Sequence, residues 1–291
     1  MIRTIHNELL TIDVDTKGAE LISIRAVKDN LEYLWQGDSK VWGRHAPILF
    51  PMVGKLNENK TIIEGNTYSM GQHGFARDLE FKLVAQTSKS VSYELLFNEE
   101  TLKIYPYKFS LLVEYTLTQN KLEIFYKVKN IDDKTIYFSI GAHPGFVCPL
   151  FNNEKFEDYF LELSQKEYID KYLLEDGMFS GEKTPHLQGE NIIPITRELF
   201  LDDALVYEGL KSSSISLKSL KSQRGIKVNF EGFPYLGIWS RPQGDGDFVC
   251  IEPWFGLADF KNDNGDFKNK KGMLLLEKEK CFECKFTIEV N

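Results

Sequence analysis

Leu9-Leu10-Thr11-Ile12-Asp13-Val14 and Glu20-Leu21-Ile22-Ser23-Ile24-Arg25-Ala26-Val27, with Lys17-Gly18-Ala19 between them, decide how this chain is read. Apolar residues recur at every second position, which is the period of a half-buried strand. The glycine-containing break supplies the turn. Two short alternating segments around a turn are the unit of an antiparallel sheet.

The same signal recurs along the chain. It appears at Glu80 to Ala85, Ser90 to Phe97, Phe109 to Thr118, Leu122 to Lys129 and Ile136 to Ile140. It returns at Ser214 to Leu217, Ile226 to Phe230, Leu236 to Trp239, Phe248 to Glu252, Met273 to Leu276 and Cys284 to Val290. Leu31 to Trp35 reads as a further strand, and Thr61 to Met70 as a hairpin turning at Gly65-Asn66. Gly244 to Asp247 reads as a tight connection. Glu99 to Leu102 predicts a single helical turn, and no long amphipathic helix is found. From about Pro149 to Thr196 the pattern weakens: Phe160 to Leu163 is strand-like, but Asp176-Gly177, Ser180-Gly181 and Pro185 to Gly189 suggest long loops. Strands at roughly 8–12-residue spacing predict an all-β fold, a large antiparallel β-sandwich with few short helices. No Pro- or Ser-rich linker divides the 291 residues, so one domain over 1–291 is expected.

Composition bounds the function. A chain of this length can bury roughly 75% of its unfolded surface and needs no staples. Its net charge is −8, with no Lys/Arg stripe, which argues against nucleic acid. No apolar run reaches about 18 residues, so no membrane span is expected. The N-terminus lacks a secretory pattern, and the expected location is cytoplasmic. Of the 4 Cys, Cys281 and Cys284 form a C-x-x-C without a second pair. Their segment alternates like a strand, so all four are read as reduced cysteines. Asp263-Asn264-Gly265-Asp266 lacks the glutamate and flanking helices of a calcium loop.

Chemistry concentrates in three breaks between strands: Gln72-His73-Gly74-Phe75-Ala76-Arg77-Asp78, Gly141-Ala142-His143-Pro144-Gly145-Phe146 and Ile251-Glu252-Pro253-Trp254-Phe255-Gly256. His73, His143 and Glu252 make an acid/base set, because histidine titrates near neutrality and a desolvated glutamate can be raised toward it. Arg44 and Arg77 supply fixed donors for hydroxyls or a phosphate. Phe75, Phe146, Trp254 and Phe255 offer apolar faces to a sugar ring. Each residue also has an ordinary reading. A single histidine among strands is usually a hydrogen-bonding residue, and His6, His45 and His186 are read so. Arg77 with Asp78 reads equally as a surface ion pair. A zinc site from His73, His143 and Glu252 has acceptable ligand types but no supporting i, i+4 pair. The apolar loop from Val41 to Leu56, broken by two Pro and two Gly, is expected to line a site.

These stretches, in order, resemble the aldose 1-epimerase (mutarotase) family and are most similar to its LacX-like and hexose-phosphate branch. The resemblance rests on Gly43-Arg44-His45-Ala46-Pro47-Ile48-Leu49-Phe50-Pro51, His73 to Arg77, His143, Asp203-Ala204-Leu205 and Cys250-Ile251-Glu252-Pro253-Trp254. It covers about residues 5 to 290. It implies a galactose mutarotase-like supersandwich and interconversion of α and β aldose anomers with no cofactor and no metal. It further implies Glu252 as base at the C1 hydroxyl, His143 as acid at the ring oxygen and His73 beside that oxygen. Arg44 and Asp203 would hold hydroxyls. Of Asp202 and Asp203, only one can face a pocket, and Asp203 is chosen. The expected partner is a small sugar or sugar phosphate, bound by a monomer or homodimer. Two alternatives stay open: a hexose-6-phosphate 1-epimerase in which Arg77 helps bind phosphate, and a non-catalytic carbohydrate-binding protein on the same fold.

Overall fold

A computed structural model describes residues 1–243 and 246–291. The connection read at Gly244 to Asp247 therefore lies partly outside the described residues. Strand accounts for 52% and helix for 7%, so the chain is all-β.

Two sheets carry the core. The larger has nine antiparallel strands. Its order runs Met178–Pro194, Tyr159–Glu175, Ser214–Ser219, Gly225–Asn229, Cys281–Val290, Lys121–Asn130, Phe109–Thr118, Ser90–Leu96 and Lys82–Gln86. The second runs Leu205–Glu208, Tyr235–Trp239, Phe248–Phe255, Ile140–Ala142 and Ile48–Leu49, with Gly145–Val147 also paired to Phe248–Phe255. Ile2–His6, Leu10–Asp15 and Leu21–Ala26 form a three-stranded sheet. The opening segments are thus strands, joined by one further strand at the N-terminus that lacks a strong pattern.

Alternation explains the core. In Phe109–Thr118, Leu111, Val113, Tyr115 and Leu117 point inward and are buried. Val249 and Ile251 of Phe248–Phe255 join the same core. The alternate residues Cys250, Glu252 and Trp254 point to the opposite face, yet they are buried too. A sheet that buries both faces needs a cover on each. The second cover makes the site.

That cover comes from the segment expected to be loops. Tyr159–Glu175 and Met178–Pro194 are two 17-residue strands of one long hairpin. Much of the hairpin is solvent-exposed on alternate and consecutive residues, and its register shifts several times. A strand without a continuous buried face has no period-two pattern, which is why the sequence reads as loop there. The hairpin tip folds back over the second sheet. Phe179 N–H donates to Asp259 O at 2.9 Å, and Lys261 N–H donates to Phe179 O at 2.9 Å. Lys55 Nζ donates to Asp176 O at 2.8 Å.

Other differences are local. Leu31 to Trp35 makes only isolated bridges, Glu32 to Arg25 and Leu34 to Phe146. The helix after Asn98 spans Glu99–Ile104 and is longer than one turn. Asn98 caps it by accepting from Thr101 N–H at 2.9 Å, while Thr101 Oγ1 accepts from Asn98 N–H at 2.8 Å. No helix among the described residues is long and apolar enough to cross a membrane.

Candidate active site

Glu252 lies mid-strand on the outward row Cys250, Glu252, Trp254. Beneath the hairpin tip Glu252 and Trp254 of this row face a cavity of about 560 Å³, a size suited to a small ligand. Its lining includes His73, Arg77, His143, Asp203, Glu252 and Trp254 from the sequence-derived set. Residues more than 200 positions apart meet there because neighbouring strands of one sheet bring their ends together.

His143 sits between the short strands Ile140–Ala142 and Gly145–Val147, which flank Phe248–Phe255. Its Nε2 lies 3.1 Å from Glu252 Oε2. The approach is close, but the angles fall outside hydrogen-bond geometry, so Glu252 Oε2 and His143 Nδ1 are buried without protein hydrogen-bond partners. The ring packs 5.0 Å from Trp42 and 6.0 Å from Trp239, centroid to centroid. Neither tryptophan was singled out from sequence. Trp42 nevertheless lies in the Val41 to Leu56 loop expected to line a site, and both tryptophans line the cavity.

His73 is reached by a strained turn. It takes φ 66 and Gly74 φ 72, both in the left-handed region. A Cβ on Gly74 would stand 2.3 Å from Phe50 O, so glycine is required for the close approach. Phe75 and Ala76 N–H groups donate to that same oxygen at 3.0 and 3.1 Å. Gly54 N–H donates to His73 Nδ1 at 3.1 Å. An accepting Nδ1 places the ring proton on Nε2. The Gln72 amide sits 3.3 Å from that Nε2, and turning it end for end presents its oxygen as acceptor. The His73 and His143 rings are 5.5 Å apart and nearly perpendicular.

Burial sets the protonation. It pushes His143 down to about 3, with the Arg77 charge adding to the effect. It also pushes His73 well below its ordinary value, with His143 and Arg77 contributing. Glu252 goes the opposite way. Burial raises its carboxyl well above the usual range, and the Asp203 charge raises it further. The Trp254 indole N–H works against this, although it falls short of hydrogen-bond geometry. Burial thus favours the uncharged form of both groups, the carboxylic acid of Glu252 and the neutral imidazole of His143.

Asp203 takes φ 78 and accepts from Ala204 N–H at 2.7 Å. Burial raises its carboxyl. Asp202 is exposed, so Asp203 is the one facing the cavity. Arg77 is fixed by donating to Gln72 O at 2.6 Å, and its Nε lies 4.0 Å from Asp78.

Four of the singled-out residues stand elsewhere, among them Phe146, which is in the core, and Phe255, which packs against it. Arg44 does not line the cavity; it donates to Asp78 Oδ1 at 2.7 Å and to Arg77 O at 3.3 Å. It buttresses the Arg77 segment instead of reaching a ligand. Phe75 packs into the core against Phe109 and Tyr105 at 6.1 and 6.3 Å. Its position one residue past a glycine turns its side chain inward. The alternative metal set of His73, His143 and Glu252 does not form a group of mutually close donors among the described residues. The group with mutually close donors is His143, Cys250 and Glu252. Leu174, Gly177 and Phe179 from the hairpin tip complete the wall, and no sequence signal marked them.

Similarity to known proteins gives the family and the fold. A family profile for aldose 1-epimerase matches residues 1–280. Chromosomal Protein LacX of Lactococcus lactis subsp. lactis is 40% identical over 263 residues, covering 87% of each chain. The crystal structure of a galactose mutarotase related enzyme from Lactobacillus acidophilus is 36% identical, with TM-score 0.97 over 100% of this chain and 97% of that one. A galactose mutarotase-like protein from Lactobacillus casei ATCC 334 is 31% identical, with TM-score 0.94 over 100% of both. The chain belongs to the aldose 1-epimerase family, as an epimerase-type isomerase of small sugars on a galactose mutarotase-like β-sandwich.

Proposed function

We propose that this protein interconverts the α and β anomers of a free aldose, with Glu252 as base and His143 as acid. The observation that carries the reading is the 3.1 Å approach of His143 Nε2 to Glu252 Oε2 inside a sugar-sized cavity. Ring opening needs a base at the C1 hydroxyl and an acid at the adjacent ring oxygen. The empty pair already holds the one proton required. Its shift from Glu252 to His143 produces carboxylate and imidazolium, and bound hydroxyls offset the cost of charging them.

Glu252 then takes the proton from the C1 hydroxyl. His143 gives its proton to the ring oxygen as the C1–O bond breaks. After rotation about C1–C2 the transfers reverse and the ring closes on the other face. The Nε2–H of His73 serves as a hydrogen-bond donor near the ring oxygen. Asp203 and Arg77 hold hydroxyls, and Trp254 supplies an apolar wall.

A free sugar is favoured over a 6-phosphate by charge. Arg77 is the one Lys or Arg side chain among the described lining residues, and Arg44 is engaged by Asp78. A non-catalytic sugar-binding role gives no reason for an acid and a base in contact. Anomer-exchange NMR over a panel of hexoses and their 6-phosphates tests the proposal. A free hexose is expected to exchange faster with the enzyme. Acceleration of phosphates alone would overturn the substrate choice, and an unchanged rate in His143→Ala would overturn the roles.

A further inference from the structure

Cys250 has no part in the sugar reaction, yet it does not sit in purely apolar surroundings. It shares the outward row of its strand with Glu252, and both are buried, at 0% and 1% exposure. Its strand partner is Gly145, two residues after His143. A Cβ placed on Gly145 would come 3.4 Å from Cys250 Sγ, so the sulfur lies directly beneath the His143–Gly145 backbone. One donor atom from each of His143, Cys250 and Glu252 lies within 4.8 Å of the other two. A buried cysteine is usually a small hydrophobe. Here it completes a set of imidazole nitrogen, thiol sulfur and carboxylate oxygen.

We propose that His143, Cys250 and Glu252 form a three-donor site for a divalent cation of the zinc class, and that its occupancy blocks the sugar reaction. The ligand types are those of zinc and cobalt sites. The distances fit. Three atoms no more than 4.8 Å apart leave a point within about 2.8 Å of all of them, against about 2.0–2.3 Å for zinc bonds, so closure by at most about 0.5–0.8 Å per donor suffices. Adjacent nitrogen and oxygen donors on tetrahedral zinc stand about 3.3 Å apart, close to the 3.1 Å between His143 and Glu252. Glu252 Oε2 is buried and lacks a hydrogen-bond partner, an orphaned acceptor that a cation would satisfy. The cavity leaves a fourth position open.

Binding would consume the groups that the sugar needs. The Glu252 carboxylate and the His143 lone pair would be committed to the ion, leaving neither base nor acid. A thiol binds such a cation as its thiolate, so binding must release the Cys250 proton. Affinity should therefore rise with pH.

The test uses cobalt as the probe, in a Cys281→Ser background that removes the exposed thiol. One equivalent of Co²⁺ is expected to give a thiolate charge-transfer band in the near ultraviolet, stronger at pH 8 than at pH 6. Zn²⁺ should displace it and should inhibit anomer exchange. Cys250→Ser should abolish the band and weaken zinc binding tenfold or more by calorimetry; Cys250→Ala serves if circular dichroism shows the serine variant misfolded. No band in the Cys281→Ser protein, or equal zinc affinity after loss of Cys250, would overturn the proposal. Both readouts are direct binding measurements, so they decide it even if no sugar is turned over.

Discussion

Glu252→Gln separates catalysis from folding in a way the structure makes quantitative. The substitution keeps the shape of a carboxyl that the pocket already holds neutral. Loss of a positioned general base costs about 10²–10⁴ in rate, which is roughly 3–6 kcal/mol of barrier. Stability follows a different course, and its sign can be worked from the two partners. His143 is depressed from 6.5 to about 3. Between those values the unfolded chain binds the extra proton, so this group makes stability rise with pH. Glu252 is raised above 4.5. Above that pH the folded chain binds the extra proton, so this group makes stability fall as pH rises. In wild type the two slopes oppose each other above pH 4.5. Glu252→Gln removes the falling one. Its stability relative to wild type should climb between pH 4.5 and 6.5 by up to about 1.4 kcal/mol per unit. Urea denaturation at several pH values measures that slope, and anomer-exchange NMR measures the rate. A variant that keeps its rate within threefold, or that tracks the wild-type stability curve, would refute the protonation scheme.

Three further outcomes follow from particular contacts. Gly74→Ala places a Cβ 2.3 Å from Phe50 O at φ 72, so it should cost more than about 1 kcal/mol in thermal unfolding and displace His73, lowering the exchange rate. Lys270→Met leaves Asp259 buried without its 3.0 Å ion partner; denaturant titration should show a loss of about 3–5 kcal/mol, together with a looser hairpin anchor, because Asp259 O receives Phe179 N–H. Asp203→Asn removes a charge that holds the Glu252 carboxyl up, so the alkaline limb of the kcat/KM profile should move to lower pH, and KM should rise. An unmoved limb would separate Asp203 from Glu252.

Strand periodicity was readable wherever one face of a strand meets the core and the other meets water, as in Leu10–Asp15, Phe109–Thr118 and Lys121–Asn130. It failed for the Tyr159–Glu175 and Met178–Pro194 hairpin, which has no continuous buried face to write into the sequence. The proposed acid and base were visible as candidates because histidines and a glutamate beside Gly and Pro are unusual in a strand protein. Arg44 and Phe75 looked equivalent to Arg77 and Trp254 in residue type, and only the direction of each side chain separates them.

By itself the sequence determined an all-β chain, a negative net charge, and the residue types of His73, His143, Asp203 and Glu252, although Glu252, read at a strand end, stands mid-strand. Those properties are local: alternation, turn chemistry and composition act over a few residues. Tertiary structure alone decided that Glu252 is buried on a sheet face with both sides covered, that its carboxyl lies 3.1 Å from the His143 ring, and that Cys250 lies within reach of both. Burial is set by a hairpin tip about 75 residues before Glu252, and desolvation is what moves a proton affinity. No local pattern encodes that meeting.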